Sequence, residues 1–242
     1  MATVILVRHG RTTANATGVL AGRTLGVKLD ERGVEQAAAT GQRLASVRLS
    51  AVVSSPLERC KQTARAIGDQ QAPTAKTTTE RGLNECDYGE WQGLAIKDLA
   101  KEPLWKTVQS QPSAVVFPGG EAMRAMQDRA VEAVRRHDRR MKEEHGDDSV
   151  WVAVSHGEVI KAILADALGT HLDLFQRIQV DPASVSVVRY TDARPYVLGI
   201  NTTAGDLSWL TPAPTGRTRR KKVARDAVIG GGAGPGAPGA RS

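Results

Sequence analysis

An alternation of short apolar runs with longer amphipathic segments predicts an α/β protein, a three-layer α/β/α sandwich around a mainly parallel sheet. Three observations carry this. Residues 3–7 and 149–155 are nearly continuous apolar runs rich in β-branched residues, and 49–55 centres a shorter apolar run, Ala51-Val52-Val53, between serines; all three read as strands buried on both faces. A segment with helical spacing follows each of them. The first and third runs also lead into related chemistry, Arg8-His9-Gly10 and His156-Gly157. In open α/β sheets the carboxyl ends of the strands are where ligands bind.

Taken in order, the first strand delivers Arg8 and His9 to a sharp turn at Gly10, where a ligand can approach the backbone. Residues 11–28 are rich in Thr, Gly, Ala and Asn and read as a loop over the strand end. Asp30 is a good N-cap for a helix with apolar positions at Val34, Ala37, Ala38, Leu44 and Val47. After the second strand, Pro56 suits the first turn of a helix running to about Ile67. Residues 70–80 are polar, and 83–93 are too glycine-rich for a regular element. Pro103, Pro112 and Pro118 break up a weakly patterned stretch, 94–118. Gly119-Gly120 then opens a long helix over 121–145, with Met123, Met126, Ala130, Val134 and Met141 near one face. The third strand leads to a helix over 158–168, and 185–190 with 196–200 make a closing strand pair around an Asp-Ala-Arg-Pro turn.

At 242 residues, 40% of them hydrophobic, the chain can bury a full core as one domain, although two small ones would fit. No apolar run is long enough to span a bilayer. The opening residues lack a basic n-region with an apolar stretch behind it, so no secretory leader is expected. Cys60 and Cys86 are the only cysteines, too few for a disulfide framework or a cysteine-based zinc site. These features predict a reduced, cytoplasmic protein without membrane contact. The net charge of +7 is concentrated at one end, since residues 216–242 hold seven basic side chains and one acid. The near-neutral body argues against a nucleic-acid-binding protein. The predicted division is a catalytic domain over 1–211 and a disordered tail over 212–242, basic and then Gly/Ala/Pro-rich. That tail would at most touch phosphates weakly. The sequence is compatible with a homodimer.

Arg8 and His9, Arg59 after the second strand, Glu85 in the glycine-rich loop, and His156 occupy comparable places. A phosphoryl group needs several donors on its oxygens, and the guanidinium fork suits it. A histidine nucleophile needs an acid to protonate the departing oxygen. The five residues are a complete set for phosphomonoester cleavage without a metal, with Asp87 and Glu90 as other candidates for the acid. There is no P-loop, dinucleotide fingerprint or metal-ligand cluster, so no cofactor is predicted. A cysteine phosphatase would need five residues between its Cys and its Arg; from Cys60 that position is Ala66, and Arg65 is one short.

Arg8-His9-Gly10 with Thr12 and Asn15 resembles the opening motif of the histidine phosphatase superfamily, the phosphoglycerate mutase-like proteins. Residues 54–64 are similar to its second block, with Arg59 as the second phosphate-binding arginine. Leu83-Asn84-Glu85 through Gly93 resembles the acid loop, and Val154-Ser155-His156-Gly157 the last block. The resemblance implies that His9 attacks phosphorus, that Glu85 protonates the leaving group and then activates water, and that Arg8, Arg59 and His156 hold the phosphoryl oxygens. Asn15 and the Gly157 N–H would assist. Ala21 stands where relatives often have a polar residue before Gly22; Arg23 would compensate or read an acidic group on the substrate. Mutases of the superfamily follow Leu-Asn-Glu with Arg-His-Tyr-Gly, whereas Cys86-Asp87-Tyr88-Gly89 replaces two basic groups and Trp91 matches the phosphatase loops. The expected function is hydrolysis of a small phosphorylated metabolite through phosphohistidine. A cofactor-dependent mutase and a non-catalytic phospho-ligand or protein-binding module are the alternatives. Trp91, Trp105 and Phe117 are read either as the pocket of an organic leaving group or as core.

Overall fold

The computed structural model describes residues 2–75 and 77–210. The predicted tail, 212–242, therefore lies outside the described residues. Six strands form one mixed sheet in the order β3-β2-β4-β1-β5-β6. They are β1 (Thr3–Arg8), β2 (Ala51–Ser54), β3 (Thr77–Thr79), β4 (Val150–Ser155), β5 (Val185–Tyr190) and β6 (Pro195–Thr202). The β1–β4, β2–β4 and β2–β3 pairs are parallel, and β5 runs antiparallel to both β1 and β6.

The apolar runs are buried on both faces, as their lack of alternation requires. Val4 and Leu6 of β1 join one core cluster, and Ile5 and Val7 join the other. The first cluster packs the sheet against α6 (Met123–His145) and α7 (Gly157–Ala167). The second packs it against α2 (Glu31–Leu44) and α3 (Glu58–Gly68). All five apolar positions expected on α6 are buried. Among the described residues, no helix is long and apolar enough to cross a membrane.

Several expectations need correction. The 11–28 segment holds α1 (Thr13–Thr17), started by a capping box between Thr12 and Asn15. The polar 70–80 segment holds β3, an exposed edge strand of three threonines with no apolar face to announce it. Within 94–118 lie α4 (Ile96–Leu99) and α5 (Pro103–Ser110). Pro56 precedes α3 rather than sitting in its first turn, because Leu57 is the N-cap. Val34 is 53% exposed and so lies off the core face of α2. Gly120 makes a close approach: a Cβ there would fall 2.2 Å from the Asp87 carbonyl oxygen. That approach presses the acid loop against the start of α6.

Candidate active site

The carboxyl ends of β1, β2 and β4 bring the charged groups together. At the end of β1, the Arg8 Nη1 donates to the Val180 carbonyl at 2.7 Å. Its Nε is buried without a partner among the described residues. The His9 ring is 3% exposed, and its Nδ1 lies 2.7 Å from the Gly10 carbonyl oxygen. A carbonyl can only accept, so Nδ1 carries the proton and Nε2 the lone pair. The turn that allows this needs Gly10, where a Cβ would fall 2.3 Å from the Gly33 carbonyl oxygen.

The first turn of α3 supplies Arg59, 2% exposed. Its Nε donates to His9 Nε2 at 3.3 Å, and its Nη2 donates to the Gly22 carbonyl at 2.8 Å and to His156 Nδ1 at 3.2 Å. Its Nη1 is buried and, like Arg8 Nε, has no partner among the described residues. Such orphaned donors are costly in a dry site, and an anion is what relieves them.

His156 follows β4 as the N-cap residue of α7 and is fully buried. Arginine can only donate, so His156 Nδ1 accepts and Nε2–H donates to Ser55 Oγ at 2.8 Å. Ser55 in turn donates to Asn84 Oδ1 at 3.3 Å. Both ring nitrogens of His156 are thus engaged, one by Arg59 and one by Ser55. Burial, then Arg59, holds both His9 and His156 well below the usual histidine range, so both rings are neutral at physiological pH.

Glu85 is 9% exposed, with Oε1 accepting from the Cys86 N–H at 2.9 Å and Oε2 3.7 Å from His156 Nδ1. Burial pushes its carboxyl up to about 7, against the opposing pull of Arg59, the Cys86 N–H and Arg8. Asp87 is tied to Arg23 at 3.1 Å and Glu90 is exposed, which leaves Glu85 as the carboxyl beside the histidines. Cys60 lies 3.4 Å from His156 Nε2, but burial pushes its thiol up to about 12, so it stays protonated and poorly nucleophilic.

A cavity of about 340 Å³ opens over this floor, lined there by Arg8, His9, Asn15, Gly22, Arg59, Glu85 and Gly157. Asn15 Oδ1 accepts from the Thr12 N–H at 3.1 Å, and Gly157 begins α7, whose positive end faces the cavity. Gly22, with φ +51°, passes its carbonyl to Arg59. Arg23 departs from the expectation of substrate contact. Its guanidinium is engaged by the Glu85 carbonyl, Asp87 and Glu121, and it does not line the cavity. Sequence reading missed Arg129 altogether. From α6 it donates to the carbonyls of Gly82, Asn84 and Glu85 and to Glu121, clamping the acid loop. Nothing in the sequence distinguished it from the other arginines of that helix.

The family profile described as "Histidine phosphatase superfamily (branch 1)" matches residues 4–203. The chain belongs to the histidine phosphatase superfamily. Phosphoserine phosphatase 1 of Hydrogenobacter thermophilus is 32% identical over 209 residues, covering 84% of this chain and 93% of that protein. Phosphoglycerate mutase-like protein 4 of Arabidopsis thaliana is 30% identical over 200 residues, covering 77% and 84%. Among solved structures, a phosphoserine phosphatase from Entamoeba histolytica superposes with a TM-score of 0.73 at 22% identity, covering 84% of this chain and 98% of its own. That likeness speaks to the fold, the mixed α/β sheet shared by phosphoglycerate mutase-like proteins.

Proposed function

We propose that this member of the superfamily is a phosphomonoester hydrolase that works through phosphohistidine on a small phosphorylated metabolite. One observation carries the reading. His9 Nε2 carries no proton, its lone pair meets only the long 3.3 Å bond from Arg59 Nε, and two guanidinium groups stand beside it, each with a buried nitrogen that lacks a partner among the described residues. In the first step, Nε2 attacks phosphorus and the bond to the leaving oxygen breaks. Protonated Glu85 gives its proton to that oxygen, releasing the alcohol. The Nδ1–H to Gly10 bond stabilises the positive charge that the ring acquires. Arg8, Arg59, the Asn15 amide and the Gly157 N–H meet the charge spread over the phosphoryl oxygens. In the second step, ionised Glu85 takes a proton from water, whose oxygen attacks phosphorus while the P–N bond breaks. Inorganic phosphate leaves and His9 is regenerated. A carboxyl titrating near 7 can serve in both forms at neutral pH.

Hydrolysis is favoured over mutase chemistry by the acid loop, where Asp87 and Cys86 replace two basic groups and the two nearby arginines, Arg23 and Arg129, are neutralised by Asp87 and Glu121. The profile match from residue 4 to residue 203 and the single sheet support one catalytic domain over 1–211. Both thiols are buried and free, in keeping with a reducing, cytoplasmic compartment.

The test is phosphate release from p-nitrophenyl phosphate in EDTA. Wild type turns over, His9→Ala loses about 10⁴-fold or more in kcat, and acid quench traps radiolabelled phosphohistidine only in the wild type. Exchange of 3- and 2-phosphoglycerate primed by 2,3-bisphosphoglycerate, without phosphate release, would overturn the reading in favour of the mutase.

A further inference from the structure

Above its charged floor the cavity has two unlike walls. One is apolar. Trp91 and Trp105 stack with ring centroids 6.2 Å apart, and Phe117 meets Trp91 edge-on at 5.4 Å. Leu20 and Val108 continue this wall, and Ile96, 41% exposed, carries it to the rim. The other wall is polar but internally satisfied. Lys161 Nζ lies 3.1 Å from Glu158 Oε1 and 2.9 Å from Gln176 Oε1, and Gln176 Nε2 donates to Glu158 Oε2 at 3.1 Å. The Lys161 side chain is only 15% exposed, and its charge is met by a carboxylate on its own helix.

We infer that the alcohol portion of the substrate is uncharged and bears an aromatic or comparably large apolar group, an inference that rests on the phosphatase reading above. The balance of charges excludes the competing chemistry. Of the cations lining the cavity, Arg8 and Arg59 face the phosphoryl position and Lys161 is paired. The cations at the acid loop, Arg23 and Arg129, are bound to Asp87 and Glu121. A carboxylate on the leaving group would thus enter a partly dry site with no unpaired cation, facing Glu158, and lose its hydration without replacement. An aromatic ring would instead cover the apolar wall and stack or pack edge-on against its tryptophans. The cavity volume, near the lower end for organic ligands, suits one such ring system beside the phosphoryl group.

The experiment compares kcat/KM for ethyl phosphate, 2-phenylethyl phosphate, O-phosphoserine and 3-phosphoglycerate at one pH. The first two leave as primary alcohols of similar acidity, so their ratio reports the pocket rather than the leaving group. The expected result is a preference of about tenfold or more for 2-phenylethyl over ethyl phosphate, with both carboxylates below 2-phenylethyl phosphate by at least that factor. In Trp105→Ala the phenylethyl-to-ethyl ratio falls toward one, and in Trp105→Leu it takes an intermediate value. A wild-type ratio near one, or equal or better turnover of either carboxylate, overturns the inference while leaving the phosphatase reading intact. Absence of hydrolysis with all four esters overturns both.

Discussion

The floor of the cavity and the segment that overhangs it solve different problems with different materials. Arg8, His9 and His156 leave the sheet at the ends of central strands, and Arg59 sits on the helix that follows the third. Each is fixed by backbone that the sheet has already ordered. The overhang, residues 83–118, is made of short helices and glycine turns held by side chains and by isolated backbone bonds outside the sheet. Arg129 clamps its first part, and backbone bonds from Leu20 to Leu94 and from Ile96 to Gly18 tie its middle to the loop after β1. A preorganised charge site benefits from stiff support, because misplacement of its donors weakens transition-state binding steeply. A leaving-group pocket can be built on less regular backbone. The contrast teaches that the sheet positions the phosphoryl-facing cations and histidines, while the less regular segment carries Glu85 and the apolar wall.

That division can be broken or sharpened by substitution. Glu85→Gln removes the proton donor and should lower kcat/KM by about 10²–10⁴-fold. It should also abolish the fall in wild-type kcat/KM that sets in as pH rises through about 7 and Glu85 ionises. His9 adds no acid limb near that range, because its ring is held well below the usual histidine value. An unchanged pH profile in the variant would remove Glu85 from the acid's role. Arg59→Ala should cost about 10²–10³-fold in kcat/KM by equal factors for ethyl and 2-phenylethyl phosphate. A loss confined to the larger ester would show that the floor also selects the alcohol.

Arg129→Leu tests the boundary between the two regions, since Arg129 does not itself line the cavity and reaches Glu85 only through its backbone carbonyl. It should reduce kcat by about tenfold through a displaced acid loop and shift the pH limb that belongs to Glu85. A loss of stability with an unmoved pH profile would make it a purely structural clamp. The smallest effect is on stability. The folded carboxyl of Glu85 titrates above its unfolded value, so the protonated form is favoured by folding and stability is lost as pH rises through about 7. Glu85→Gln should therefore be more stable than wild type at pH 8, by no more than a few kcal/mol, with the advantage gone below pH 4. Thermal melts at the two pH values check the sign.

Much of the floor was legible because its signals are local. A short apolar run rich in β-branched residues and closed by a turn reads as a doubly buried strand, and Arg8-His9-Gly10 and His156-Gly157 mark where two such strands end. The expected core positions of α6 were right for the same reason, a period of 3.6 residues. The failures share a cause as well. β3 is three exposed threonines whose only reason to be a strand is the neighbouring edge of β2. The two short helices within 94–118 are fixed by contacts with the 18–20 loop and the core, neither visible in their own spacing.

The sequence by itself determined the layered α/β architecture, the order of its elements and which charged residues would stand at strand ends, because periodicity and strand termini are properties of neighbours along the chain. Only the tertiary structure decided the finer assignments. It bonded Arg23 to the acid loop and Glu121, enlisted Arg129, engaged both nitrogens of His156, and left one guanidinium nitrogen of Arg8 and one of Arg59 without partners among the described residues. Those outcomes depend on which group reaches which partner across tens of residues. Hydrogen bonds and ion pairs act over a few ångströms, and only the folded chain sets those distances.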